Sequence, residues 1–101
     1  MSMPAEQVRD CQRRGHLITA AVHDRATLDR ANELAVDLVT VSPLRETATH
    51  PGVPGIGWPA FAELADAASM PVYALGGVGV EDLPQTWRRG GFGVAGISAF
   101  W

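Results

Sequence analysis

Residues 71–83 read PVYALGGVGVEDL, and their pattern indicates the fold class of the whole chain. Its first part, 71–75, is a short apolar run that predicts a buried strand. Gly76-Gly77 ends that run and predicts a tight turn. Residues 81–89 then fit a short helix, with Pro84 tolerated in its first turn and with Leu83 and Trp87 predicted to face inward four residues apart. The stretch is therefore read as one strand, a glycine turn and one helix.

The same alternation extends along the chain in both directions from this unit. Apolar runs predict three further strands, at 16–22, 37–41 and 93–100. Helices are predicted at 4–14, after an N-cap at Asp24, and from Gly57 onward with Pro59 at the first helical position. The residues predicted to form the buried stripes of the two longer helices are Leu28, Ala31, Leu34, Ala35, Phe61, Leu64, Ala65 and Ala68.

Four helix–strand pairs in succession predict an α/β fold with a parallel sheet and right-handed crossover helices. The strands are apolar throughout, which is typical of strands buried on both faces. Two architectures fit, a small doubly wound sheet and half of a (β/α)8 barrel, whose full length is about 250 residues. A half-barrel would leave two open strand edges and an uncovered apolar face, which would favour dimerisation or require a missing partner segment.

Composition narrows the class of protein. The 101 residues fit a single domain, 1–101, and the net charge is −3 with no clustered basic surface, so no nucleic-acid partner is expected. Cys11 is the one cysteine and cannot form an internal disulfide. The sequence shows no membrane-length apolar run, no signal peptide and no cluster of metal-binding residues, so we expect a cytoplasmic chain with no metal site of its own.

Polar and glycine residues fall where the predicted strands end, and ligands of such folds bind at the carboxyl ends of the strands. Gly76, Gly77 and the next helix could hold an anion together with Ser98, although a tight turn explains the glycines equally well. Thr47, Thr49 and His50 could bind a second anion such as a pyrophosphate, although a polar surface loop held by prolines is the more common case. His23 could be a general acid or base, or a structural histidine.

Four segments resemble one family, in family order and with family spacing across residues 16–101. They are AAVHD, SPLRETATHPG…GW, PVYALGGVGVEDL and GVAGISAFW. They are similar to the corresponding segments of thiamine phosphate synthases and the related TenI proteins. The THPG and GW motifs and the terminal tryptophan most resemble the version fused behind a Nudix hydrolase.

The resemblance implies the C-terminal half of a TIM barrel and a role for each site residue. Thr47, Thr49 and His50 would meet the pyrophosphate of the hydroxymethylpyrimidine substrate. The phosphate of the thiazole substrate or of the product would be held by Gly76, Gly77, Ile97 and Ser98. His23 matches the acid–base histidine of the thiazole-tautomerising TenI branch, so a tautomerase-like module is one alternative function and a non-catalytic, self-associating fragment is another.

The departures from the family pattern limit what the chain is expected to do alone. His50 stands where the synthases carry a lysine, and Arg45-Glu46 replaces an apolar residue and its neighbour. In the synthases the first four strands supply the carboxylates for magnesium, so we expect no cofactor in this chain and no synthase turnover by it alone. The expected partners are phosphorylated thiazole and pyrimidine ligands, and either a second copy of the chain or an N-terminal barrel half.

Overall fold

The structure is a computed structural model that describes residues 4–45, 52 and 54–95. Helices and strands alternate along it. The helices are α1 (Ala5–Arg13), α2 (Arg25–Leu34), α3 (Gly57–Ala67) and α4 (Leu83–Arg88), the last preceded by a single 3-10 turn at Val80–Asp82. The strands are β1 (Thr19–Val22), β2 (Leu38–Val41), β3 (Val72–Leu75) and β4 (Gly93–Ala95).

The four strands form one parallel sheet whose spatial order, β1-β2-β3-β4, is also the chain order. The pairing register places Val22 beside Val41, and Val41 beside Ala74. Every crossover therefore moves one strand further in the same direction, and right-handed crossovers in one direction put their helices on one face of the sheet. The predicted parallel sheet with crossover helices is confirmed, and its winding is that of a barrel rather than of a doubly wound sheet.

The core lies between the sheet and this helix layer. The sheet contributes valines such as Val22, Val39 and Val41, while Leu28 and Phe61 enter from α2 and α3, and all five are fully buried. Burial of branched and aromatic side chains on this face is the main favourable term that holds the helices to the strands.

The opposite face of the sheet is much less covered within the described residues. We call it the open face; its residues on β1, β2 and β3 are Thr19, Ala21, Leu38, Thr40, Tyr73 and Leu75. Thr19 and Ala21 are exposed, and the other four are only partly buried. Among the described residues the strands are therefore buried on one face, whereas their apolar sequence is typical of burial on both.

Three predictions about the helices are wrong. Trp87 does not face inward, since 58% of it is exposed. The 3-10 turn before α4 shifts the helix, and Asp82 and Thr86 are buried instead. Ala35 is exposed because it ends α2 in a left-handed conformation, with φ +54°. The first residue of α3 is Gly57 and not Pro59. The predicted strand 93–100 is described only as far as Ala95.

The loops that follow β2 and β3 meet at very short range. The amide of Leu44 donates to the carbonyl oxygen of Leu75 at 3.0 Å, and that of Arg45 to the carbonyl oxygen of Gly76 at 3.1 Å. Gly76 has φ +93°, and a Cβ atom on it would lie 2.8 Å from the Cα of Pro43. A side chain cannot fit there without moving backbone, so glycine is required both by conformation and by space.

We predict that Gly76→Ala lowers the free energy of unfolding by more than the matched change Gly15→Ala. Gly15 has a similar φ of +88°, and a Cβ atom on it would meet nothing within 4 Å, so this control should lose about 1–2 kcal/mol from the left-handed backbone alone. Gly76→Ala should lose at least about 1 kcal/mol beyond that, because the backbone at Pro43 must also move. Urea unfolding of both variants measures the difference. Equal losses in the free energy of unfolding would show that the backbone at Pro43 moves without a measurable cost.

Candidate functional site

The carboxyl ends of the parallel strands lie along one edge of the sheet. We call this edge the carboxyl rim, and its described residues are His23 after β1, residues 42–45 after β2 and residues 76–79 after β3. Of the predicted site residues, the structure places His23, Gly76 and Gly77 on the rim. Five others lie outside the described residues, and their roles stay predictions: Thr47, Thr49, His50, Ile97 and Ser98.

His23 directly follows the carboxyl end of β1, with 62% of its side chain exposed. Its backbone amide donates to Thr27 Oγ1 at 3.1 Å, and its Nε2 atom lies 3.8 Å from Asp24 Oδ2. The predicted N-cap is confirmed, because Asp24 Oδ1 accepts from the amide of Thr27 at 2.8 Å, and hydrogen bonds from Thr27 lower the pKa of Asp24. β2 separates His23 from the glycine turn after β3, a distance of two strand spacings, or about 10 Å. An acid–base role for His23 stays a prediction.

The glycine turn after β3 presents two amide groups away from the neighbouring loop. Gly76 and Gly77 have φ values of +93° and +71°. The Gly76 carbonyl oxygen accepts from the Arg45 amide at 3.1 Å, and the Gly77 carbonyl oxygen accepts from Arg45 Nη1 at 3.0 Å. In a trans peptide the C=O and N–H bonds point in opposite directions, so the amides of Gly77 and Val78 point away from Arg45. Neither amide donates to another residue of the described ranges.

An ion pair joins the loop after β2 to the turn after β3. Arg45 Nη1 lies 3.1 Å from Asp82 Oδ2, and Arg45 Nη2 lies 3.0 Å from Asp82 Oδ1. Asp82 Oδ2 also accepts from the Gly79 amide at 2.9 Å, and only 11% of the Asp82 side chain is exposed. The guanidinium carbon of Arg45 lies 5.9 Å from the centre of the Trp58 ring. One side chain thus contacts the start of α3, the glycine turn and the 3-10 turn.

Sequence reasoning did not find this pair. It treated Arg45 only as a departure from the family pattern and assigned no contact to Asp82. The signal available was topological, because adjacent parallel strands bring their following loops together, and a cation after β2 can then reach an anion after β3 although 37 residues separate them.

The pair remains charged over the neutral range. The hydrogen bonds from Arg45 lower the pKa of Asp82, although burial acts in the opposite direction. The same hydrogen bonds raise the pKa of Arg45. A bidentate guanidinium–carboxylate pair of this kind also fixes the relative orientation of the two groups.

Two other kinds of feature are missing from the described part of the chain. Among residues 4–45, 52 and 54–95, no group of three or more His, Cys, Asp or Glu side chains is placed to hold a metal ion. No helix within those same ranges is long and apolar enough to cross a membrane.

We predict that Asp82 contributes an acid-sensitive part of the stability. Its pKa is lower in the folded chain than its ordinary value, so its stabilisation is present above that value and is lost as the pH falls through the folded pKa. On acidification from about pH 5, the free energy of unfolding of the native chain should therefore fall more steeply than that of Asp82→Asn, which cannot titrate. Urea unfolding across this range measures both slopes. Asp24 titrates in both proteins and cancels, so parallel curves would contradict the ion pair.

Comparison with known proteins supports the family suggested by the four segments. A model of the thiamine monophosphate synthase family (TMP-TENI) matches residues 1–100. The thiamine-phosphate synthase of Methanosarcina barkeri is 33% identical over 98 residues, which cover 96% of this chain and 44% of that protein.

Two solved structures resemble the chain in fold. Thiamine phosphate pyrophosphorylase from Pyrococcus furiosus superposes with a TM-score of 0.69 at 20% identity, over 95% of this chain and 45% of that one. FabK from Thermotoga maritima superposes with a TM-score of 0.78 at 16% identity, over 99% of this chain and 32% of that one. Both have TIM-barrel-like folds, which agrees with the half-barrel prediction.

The chain spans less than half the length of the curated relatives that it matches, for example 44% of the Methanosarcina barkeri protein. The resemblance to a version fused behind a Nudix hydrolase stays a prediction. The family match over residues 1–100 and the barrel-type sheet agree with each other, and the chain belongs to the thiamine monophosphate synthase family.

Proposed function

We propose that these residues form the anion-binding half of a thiamine-phosphate synthase-like site. The glycine turn after β3 would receive the phosphate of a thiazole phosphate or of the thiamine phosphate product. The loop after β2 would receive the pyrophosphate of a pyrimidine substrate. The observation that carries this proposal is the pair of amides at Gly77 and Val78, which point away from Arg45 at the carboxyl rim.

The chemistry of this turn suits a phosphate. Successive backbone amides form a concave cluster of donors that favours anions, and glycine lets the anion approach the backbone. Val78 is buried, with 6% of it exposed, and it anchors the turn in the core. We propose that Ile97 and Ser98 complete the phosphate site from the end of β4, with an amide and a hydroxyl as further donors.

The pyrophosphate would lie on the neighbouring loop. Thr47, Thr49 and His50 follow Arg45 closely in sequence, and all three side chains can donate hydrogen bonds. His50 carries a full charge only when it is protonated, whereas a lysine is charged throughout the neutral range. We therefore propose weaker pyrophosphate binding at neutral pH than a lysine at position 50 would give.

Binding and turnover are separate parts of the proposal. In the synthase reaction a C–N bond forms between thiazole nitrogen and pyrimidine methylene as the C–O bond to pyrophosphate breaks, and the departing pyrophosphate takes the bonding electron pair. Metal ions stabilise such a leaving group. The family resemblance assigns the metal carboxylates to the first half of the barrel, so we propose that the 101 residues bind both anions and depend on further strands for turnover.

The open face would be covered by those further strands. Side chains such as Leu38, Tyr73 and Leu75 are partly exposed there, and both β1 and β4 are edge strands in the described sheet. Apolar surface and unpaired strand edges favour association. We propose that a second copy of the chain, or an N-terminal barrel half, supplies the missing face.

We predict that the 101-residue chain binds inorganic phosphate and pyrophosphate in calorimetric titrations. Replacing both Thr47 and Thr49 by Ala should weaken pyrophosphate by about tenfold and leave phosphate unchanged, because two donors to a charged group are lost from one loop only. Thr19→Ala is the matched control, since Thr19 is an exposed threonine at the opposite end of the sheet. No binding of either anion by the native chain would favour a non-catalytic fragment.

We predict that light scattering shows a mass of at least twice the 10.7 kDa of one chain. Leu38→Arg should return the protein to a monomer, because it places a charge on the open face, where burial without a partner is costly. Ala26→Arg is the control, since it adds the same charge at an exposed position on α2. A monomeric native chain, or equal effects of the two variants, would argue against association through the open face.

A further inference from the structure

We propose that Arg45 is a positioning residue that orients the phosphate-binding amides of the glycine turn. This inference rests on the proposed phosphate site and adds a residue to it. Arg45 replaces an apolar residue of the family pattern, so the function would be particular to chains that carry this arginine.

Arg45 fixes two successive peptide units. Its backbone amide holds the Gly76 carbonyl oxygen at 3.1 Å, and its Nη1 atom holds the Gly77 carbonyl oxygen at 3.0 Å. Because each peptide is planar, fixing these two oxygens directs the amides of Gly77 and Val78 to the opposite side. Any side chain at position 45 keeps the first contact, but the second requires a long donor.

The same side chain holds the far end of the turn through Asp82. The Asp82 carboxylate accepts from Arg45 Nη1 and Nη2, and its Oδ2 atom also accepts from the Gly79 amide at 2.9 Å. The guanidinium is therefore bonded to Gly77 directly and to Gly79 through Asp82. Without Arg45, the mostly buried Asp82 carboxylate would lose its paired cation and its hold on Gly79 would weaken.

The guanidinium is itself held from the core. Its carbon lies 5.9 Å from the centre of the Trp58 ring, a distance at which a cation is attracted to the ring face. Trp58 in turn packs edge-on against the fully buried Phe61, with ring centres 5.6 Å apart. A continuous set of contacts thus runs from the core under α3 to the glycine turn.

Simple attraction between Arg45 and a phosphate is the weaker explanation. Arg45 is half exposed, and the Asp82 carboxylate only about 3 Å away cancels most of its charge at longer range. The effect of Arg45 on phosphate should therefore depend on its hydrogen-bond geometry more than on its charge. A lysine would keep the charge but could not make the planar, bidentate contact with Asp82 while also reaching Gly77.

The test is a calorimetric titration of the 101-residue chain with inorganic phosphate. Arg45→Met should weaken phosphate by about tenfold, and Arg45→Lys should not restore the affinity, since charge-assisted contacts of fixed geometry are lost in both. Arg14→Met is the matched control: Arg14 pairs with Asp10 at 3.2 Å on the exposed side of α1, at the other end of the sheet. Its phosphate affinity should equal that of the native chain. Native affinity in Arg45→Met, or full rescue by Lys, would overturn the positioning function.

A second measurement needs no ligand and separates this inference from the proposed function. In NMR amide exchange, the Gly79 amide should exchange faster in Arg45→Met than in the native chain and Arg14→Met. If the native chain binds no phosphate, the proposed phosphate site is wrong. If the Gly79 amide also exchanges at the same rate in Arg45→Met as in the native chain, the positioning contact is wrong as well. If Arg45→Met does not fold, Asp82→Asn removes the ion pair more conservatively, and unchanged phosphate affinity and Gly79 exchange in that variant would overturn the inference.

Discussion

The candidate site depends on the continuation of β2–β3 pairing beyond the ends of the two strands. Two backbone hydrogen bonds, from Leu44 to Leu75 and from Arg45 to Gly76, bring the loop after β2 against the turn after β3. This contact is possible only because Gly76 has no side chain, since a Cβ atom would meet the backbone of Pro43. Gly76 therefore allows the two loops to lie together at one edge of the sheet.

Within the described residues the sheet is buried on one face only. The helix layer covers the valines on one side, whereas Thr40 and Leu75 on the other side remain partly exposed. Apolar side chains on the open face, such as Leu38 and Leu75, are typical of strands that a closed barrel buries on both faces. The chain spans less than half of relatives such as the Methanosarcina barkeri synthase and the Pyrococcus furiosus structure, which agrees with a half-barrel.

The Arg45–Asp82 pair shows how a departure from a family pattern can acquire a structural role. The hydrogen bonds from Arg45 to Asp82 and to the Gly77 carbonyl oxygen connect the loop after β2 to the turn after β3. A hydrophobic residue at position 45 could pack there but could not hold that carbonyl. The charge gained at position 45 is paired with a carboxylate that is mostly buried.

The strand–helix alternation, the parallel sheet, the glycine turn and the family could all be predicted from the sequence, because periodicity, turn residues and short motifs are local properties. The sequence also located His23, Gly76 and Gly77 at strand ends. Contacts between residues far apart in sequence, and the direction in which each helical residue faces, depend on the tertiary structure. After the 3-10 turn, Thr86 is buried in the core and Trp87 is not, and Ala35 is exposed at the left-handed end of α2. Only the folded chain brings Arg45 to Asp82, because a contact between residues so far apart in sequence is set by strand order and loop geometry, not by local preference.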